Sequence, residues 1–279
     1  MNRPNTQRRC FDAPGTVDPS VPHADLHVHT DRSDGTLALE AVPEAARRSG
    51  VAVVGVTDHD RLQPALGAPV SVRDDVTIIH GIELKVETNE ERLDLLAYGI
   101  DPTPALEDEI DRLQADRRER GRAIVERVEE QVGVDLDLAV HDGLGRPHIA
   151  RAIDAHPDAP YTYRAAFDEL IGDGRPCFVA REVTPYDTGR ELLEDAAALV
   201  GLAHPLRYDA PAAAIAHGSE LDAIECWYPY EQPVDPTPVE QAIRTHDLLP
   251  TGGSDSHEEE LGLAGVSATD YSAIAARLP

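Results

Sequence analysis

Asp25-Leu26-His27-Val28-His29 puts three polar side chains at i, i+2 and i+4. A strand projects such positions from one face, so two imidazoles converge, and buried ring nitrogens need partners. Metal ligation meets that need better than packing does. The same kind of ending recurs: Ser33-Asp34-Gly35 in the loop after this run, Thr57-Asp58-His59-Asp60, Gly81-Ile82-Glu83, Ala203-His204-Pro205, and Gly253-Ser254-Asp255-Ser256-His257. Each time a hydrophobic run closes in a histidine or an acid, often beside Gly or Pro. Singly, each has a plain alternative as a capped turn, a strand end or a surface acid. Five in one chain point to an assembled site, because barrels and open α/β sheets build sites at C-terminal strand ends. Imidazole and carboxylate without thiolate suit Mn, Fe or Zn rather than Ca or an iron–sulfur centre. Cys10, Cys177 and Cys226 are widely spaced with no C-x-x-C, so no Cys-rich zinc site is expected. His23, His80, His141, His156, His217 and His246 lack this context and read as surface or structural residues.

The elements that must position these residues alternate in type. Residues 24–30, 51–56, 76–82, 93–98, 201–204, 221–227 and 248–253 read as strands. Helices are predicted over 37–49, stopped by Gly50, and over 188–199 and 239–245. This alternation predicts an α/β fold with a largely parallel sheet. From 104 to 180 the pattern changes to a long charged helix over 104–133, with Leu106, Ile110, Leu113, Ile124 and Val128 as its apolar stripe. Shorter helices follow at 147–155 and 165–171. The predicted division is a flexible leader over 1–22, a main body formed by 23–103 and 181–279, and a helical insertion over 104–180.

The chain has 279 residues with 41% hydrophobic content, and 25 cations against 52 acids give a net charge of −27. Lys85 is its single lysine. Self-repulsion on this scale is tolerable where salt screens it, with a Debye length of about 3 Å at 1 M, which suggests a salt-rich cytoplasm such as that of a halophilic archaeon. Such a field repels duplex DNA, and no basic stretch with interleaved aromatics relieves it. No run approaches the roughly 18 apolar residues of a membrane span, and the N-terminus has no apolar signal core. A cytoplasmic protein with no membrane partner is expected. Small anionic substrates stay compatible if bound metals supply positive charge locally.

The ordered set D-x-H-x-H-T, S-D-G, T-D-H-D, G-I-E, R-P-H-I-A, A-H-P and G-S-D-x-H resembles that of the PHP (polymerase and histidinol phosphatase) superfamily, from Asp25 to about Gly265. The resemblance implies a distorted (β/α)7 barrel of the PHP type, with a helical insertion. It implies three divalent metal ions, Mn first with Fe or Zn as alternatives. His27, His29, Glu83 and Asp255 would hold the first. Glu83 would bridge to a second, held also by His148 and His204, and Asp34, His59 and His257 would hold the third. Catalytic roles fall to Asp255, Glu83 and His204, around a hydroxide bridging between metals. His148, in Arg146-Pro147-His148-Ile149-Ala150, is known through the resemblance alone. Asp25, Asp58 and Asp60 flank ligands and are expected to accept ring N–H bonds.

Arg151, Arg207 and Lys85 are the candidate cations for substrate phosphate, since each lies within three residues of an implied ligand. Within the superfamily, H-V-H-T-D-R-S-D-G, R-P-H-I-A-R and G-L-A-H-P-L-R-Y look most like enzymes that remove the 3′-phosphate from nucleoside 3′,5′-bisphosphates or trim short RNAs from the 5′ end. The expected partner is a small phosphorylated substrate, a nucleotide or short RNA end. Alternatives are a histidinol-phosphate phosphatase, an amidohydrolase-like barrel, which S-D-G and G-S-D-x-H fit poorly, and a non-catalytic metal-stabilised binding module.

Overall fold

The computed structural model describes residues 22–141 and 144–279, so the expected leader lies outside the described residues except for Pro22. Along the chain come β1 (Ala24–Val28), α1 (Val42–Ser49), β2 (Val53–Val56), β3 (Val70–Arg73), β4 (Val76–Glu87), β5 (Arg92–Tyr98), α2 (Pro104–Val132), α3 (Arg146–Ala155) and α4 (Tyr163–Ala165). Then follow β6 (Thr184–Pro185), α5 (Tyr186–Ala196), β7 (Leu199–Leu202), α6 (Pro211–Gly218), β8 (Ala223–Trp227), α7 (Thr237–His246), β9 (Leu249–Gly252) and α8 (Ala268–Ala275). They divide into two compact units. One spans residues 107–183; the other combines the described residues before 107 with 184–279.

In the larger unit seven strands form one path, β1-β2-β4-β5-β7-β8-β9, with β3 and β6 each paired to β4. A bridge between Val28 and Ser256 brings the end of the path back beside its start, giving a nearly closed barrel. The pairs β1–β2, β2–β4, β7–β8 and β8–β9 are parallel, so their C-terminal ends gather at one end. The expectation of a largely parallel sheet needs correction at β5, which runs antiparallel to both β4 and β7. The link from β4 to β5 is only residues 88–91, closed by the Thr88 N–H donating to the Glu91 carbonyl at 2.9 Å. A parallel return would need a crossover of about a dozen residues.

Strands β1, β2, β5 and β7 and most of β4 are buried on both faces, which explains their runs of branched apolar residues, whereas β3 lies partly exposed. Val54 and Ile78 join Val42, Ala45 and Ala46 of α1 in one core cluster, while their neighbours Val53 and Ile79 turn the other way, to Leu26, Leu96 and Tyr98. Helix α1 has a proline in its first turn and ends at Gly50, whose φ of 74° is the left-handed cap that releases the chain into β2.

The smaller unit has its own core. Ile124, Val125 and Val128 of α2 pack with Leu144, with Ile149 and Ile153 of α3, and with Leu170 and Ile171. The helix expected over 165–171 is instead the short α4 running into a π-helical turn over Ala166–Ile171.

Candidate metal centre

Glu83 of β4 is the hub of the larger unit's site. Its Oε2 lies 3.3 Å from His27 Nε2, 3.3 Å from His29 Nε2 and 2.9 Å from His59 Nδ1, and its Oε1 lies 3.1 Å from His204 Nε2. Asp255 Oδ1 is 3.4 Å from His27 Nε2 and 3.1 Å from His29 Nε2. Three donor groups result: His27, His29, Glu83 and Asp255; His29, Asp34, His59 and His257; and Glu83, Asp94 and His204. Within each group the ligand atoms lie within 4.8 Å of one another. His29 belongs to two groups and Glu83 to two, so the three are nested.

The backbone is bent to achieve this. His204 and Asp255 follow their strands with φ of 27° and 51°, a region that costs a residue with a side chain about 1–3 kcal/mol. The surroundings hold them there. The His204 N–H donates to Glu225 Oε2 at 2.7 Å, while Glu225 Oε1 accepts from His27 Nδ1 at 3.1 Å. One buried carboxylate thus ties the donor-bearing β1 to the histidine that follows β7. It also fixes the His27 proton on Nδ1, leaving the Nε2 lone pair for the cluster. His257 is set in the same sense, its Nδ1 lying 3.0 Å from the Asp255 carbonyl. Gly253 is required where it stands: a Cβ there would meet His27 N at 2.3 Å, so only glycine lets the end of β9 lie against β1.

The flanking acids have a different role from the one expected. Asp25 accepts from Ser254 N–H at 2.8 Å, Ser254 Oγ at 2.6 Å and Gly262 N–H at 2.8 Å. Asp58 accepts from Thr30 N–H, Thr30 Oγ1 and Ser33 Oγ at 2.8, 2.7 and 2.6 Å, which pins the loop carrying Asp34. Asp60 accepts from the Lys85 N–H at 3.0 Å. These carboxylates brace loops and strands.

The donors themselves suit a cation. His27 Nε2, both ring nitrogens of His29, His204 Nδ1 and Glu83 Oε2 are buried without a hydrogen-bond partner, a costly arrangement unless something else satisfies them. Burial opposes charge on His27, yet Glu225 and Glu83 hold its pKa well above the ordinary value. Burial likewise opposes charge on Glu83, and His59 and His27 override it to hold its carboxyl well below the usual range. Burial disfavours a charged His59 too, but Glu83 outweighs that cost and the ring is pushed up to about 9. Asp34 and Asp255, though desolvated, lie below the carboxylate range because imidazoles face them. Protons on the imidazoles balance buried carboxylates here, a balance that a bound divalent ion would take over while releasing the protons.

Three residues escaped the sequence reading. Asp94, Glu225 and Tyr228 all touch ligand residues: Asp94 Oδ2 is 3.8 Å from His204 Nε2, Glu225 bonds His27 and His204 as described, and the Tyr228 hydroxyl donates to Asp255 Oδ2 at 2.8 Å. For the two acids the sequence signal was a carboxylate inside an apolar strand, L-D-L-L and I-E-C-W. Among the substrate candidates, the Lys85 ammonium pairs with Asp94. Arg207 is half exposed, with Nη1 donating to Asp255 Oδ2 at 3.1 Å and to the Tyr228 hydroxyl at 2.8 Å. His148 and Arg151 belong to the smaller unit. There His148 Nδ1 accepts the Gly145 N–H at 3.2 Å, and the Arg151 guanidinium lies 6.0 Å from the centre of the Tyr163 ring.

The PHP domain family profile matches residues 25–159. Over that stretch, just under half of its length, the chain is similar to PHP domains. The match begins at the β1 ligand strand and reaches past His148. The 5′-3′ exoribonuclease Rnm of Salmonella typhimurium is 26% identical over 257 residues, covering 84% of this chain and 85% of that protein. A 3′,5′-nucleoside bisphosphate phosphatase of Chromobacterium violaceum is 27% identical over 201 residues, covering 66% and 67%. A solved structure from Bifidobacterium adolescentis, assigned as a metal-dependent phosphoesterase, superposes with a TM-score of 0.71 at 25% identity over 94% of this chain and 98% of that one. Likeness to a solved phosphoesterase thus extends, at the level of the fold, beyond the segment matched by the PHP profile. Among the described residues no helix is long and apolar enough to cross a membrane.

Proposed function

We propose that this protein hydrolyses a phosphate ester of a small nucleotide, either a 3′,5′-bisphosphonucleotide or the 5′ end of a short RNA, with divalent ions held in the nested donor groups. It is a PHP-type phosphoesterase. The nesting itself supports this reading most strongly: Glu83 and His29 each serve two groups, as donors must if ions are to sit close enough to share one phosphoryl group. His27, His29, Glu83 and Asp255 would hold one ion. Glu83 and His204 would hold a second, with His148 assigned to it by family resemblance, and Asp34, His59 and His257 a third. When bound, paired ions of this kind acidify water towards neutral pH and neutralise phosphoryl oxygens.

The chain's own residues supply position. Glu225 keeps His27 presenting Nε2. Glu83, Asp255 and His204 set the spacing of the reacting groups and exclude alternative arrangements by their burial. Arg207 offers a guanidinium at the rim, suited to a planar anion, and Arg151 is a second candidate for a further phosphate. The ions also answer the charge problem, because a chain of net charge −27 can hold an anionic substrate only where positive charge is concentrated. Mn is the preferred ion, and a salt-rich cytoplasm the setting that suits the composition.

Metal-free protein resupplied with Mn2+ should release phosphate from a 3′,5′-bisphosphonucleotide, or mononucleotides from a short 5′-phosphorylated RNA, in preference to histidinol phosphate, with elemental analysis showing up to three ions per chain. Turnover of histidinol phosphate alone would reassign the substrate, and trace metal content would remove the mechanism.

A further inference from the structure

The carboxylate of Asp255 is divided between two environments. Oδ1 faces His27 and His29 at 3.4 and 3.1 Å. Oδ2 faces the other way, accepting from the Tyr228 hydroxyl at 2.8 Å and from Arg207 Nη1 at 3.1 Å. The same Arg207 nitrogen also donates to the Tyr228 oxygen at 2.8 Å, and the guanidinium carbon lies 5.6 Å from the centre of the Tyr228 ring. The Tyr228 ring in turn stands edge-on to that of His204, centroids 5.4 Å apart at 72°. Tyr228 therefore touches residues of two donor groups and the cation at the rim.

We infer that Tyr228 is a positioning residue, whose hydroxyl commits Asp255 to present Oδ1 to the imidazole cluster and holds the Arg207 guanidinium at the edge of the site. This deepens the functional reading above and rests on it. The phenol suits the task because it donates and accepts at once. Donation to Oδ2 draws electron density from that oxygen and blocks rotation of the carboxylate, leaving Oδ1 as the better donor to a cation. Acceptance from Arg207 ties down a long side chain that would otherwise sample many rotamers, so less freedom is lost when an anion arrives. The neighbouring tyrosines use their hydroxyls on the main chain: Tyr230 accepts from the Leu206 N–H at 3.2 Å and Tyr208 from the Asp94 N–H at 2.9 Å. Tyr230 is thus a matched comparator from the same aromatic group.

The test uses the full-length protein, stripped of metal and titrated with Mn2+ by calorimetry, with KM and kcat measured after saturation. Tyr228→Phe should bind its ions about tenfold more weakly, the lower end of what loss of an outer partner costs, and should raise KM more than it lowers kcat. Tyr230→Phe should bind Mn2+ as the wild type does. Arg207→Met, which retains the Tyr228–Asp255 bond but removes a second donor to Oδ2, should lose less ion affinity than Tyr228→Phe while KM rises. Equal ion affinity and KM in Tyr228→Phe and the wild type would overturn the inference. So would equal losses in Tyr228→Phe and Tyr230→Phe, which would mark a packing role only. The titration uses no substrate, so a wrong substrate class shows as ion uptake without turnover, whereas failure of this inference shows as unchanged uptake in Tyr228→Phe.

Discussion

The two ends of the donor cluster are built on different principles. At the inner end, the His27, His29 and Glu83 side chains are at most 1% exposed, and two of the three stand within strands. At the outer end, the side chains of Asp34 and His257 are 53% and 35% exposed, and both sit on loops beyond β1 and β9. Inner donors have no water to fall back on, so a charge left unbalanced there is expensive. Outer donors are partly hydrated and can complete a coordination shell with solvent. The contrast teaches that one continuous cluster can hold equivalent-looking ligands with very different tolerance to loss.

The sharpest way to break the comparison is at its inner hub. Glu83→Gln should lower turnover by more than a hundredfold, beyond the roughly 10–100-fold cost of losing an outer partner, and elemental analysis should find the metal content depleted. Glu225→Gln comes next. It leaves the Glu83 donor set in place but releases the proton position of His27, and should weaken ion affinity or turnover by about 10–100-fold, measured by calorimetric titration. At the outer end Asp34→Ala should cost less than either, losing one ion per chain while the inner ions stay, as a count of bound metal would show. A chelator applied to the wild type should remove ions in two phases, the outer one first; a single phase would contradict the exposure argument.

The smallest effect on activity belongs to a residue outside both ends. His80 on β4 is buried with neither ring nitrogen hydrogen-bonded, and burial pushes its pKa down to about 4 despite the nearby Asp58. In the unfolded chain it takes up its proton at about pH 6.5. Between these values the unfolded state binds more protons, so stability rises with pH across the window and is lost as pH falls from about 6.5 towards 4, by on the order of 3 kcal/mol. His80→Leu should flatten that slope in chemical denaturation while leaving turnover at neutral pH in place.

The barrel ends were legible in the chain because a branched apolar run that stops at a histidine or acid, repeated five times, seldom arises from packing alone. Residue type and spacing pointed to the strand ends that carry His27, His29, His59, Glu83, His204, Asp255 and His257 and to the loop that carries Asp34, while their selection from among the neighbouring acids as one donor set came with the family resemblance. What stayed hidden was set by neighbours distant in the chain. Asp94 and Glu225 are lone carboxylates inside apolar strands with no histidine beside them in the chain, and only the strands on either side reveal that they face donor residues. The reversal of β5 depended on the shortness of the 88–91 link, which the strand-and-helix rhythm concealed. Asp25 looked like a partner for an imidazole, but its carboxylate bonds Ser254 and Gly262, residues more than two hundred positions away in the chain. His80, read as a surface or structural residue, is fully inside.

The seam between β1 and β9, where Gly253 presses on the main chain of His27, has a consequence for biosynthesis. The earliest donors leave the ribosome long before Asp255 and His257 are translated, yet the two pairs must meet before either donor group that contains His29 is complete. A nascent chain stalled short of Gly253 lacks the closing turn of the barrel and the Asp255 and His257 donors. Completion of the donor groups that share His29 is therefore a late event in the synthesis of the chain.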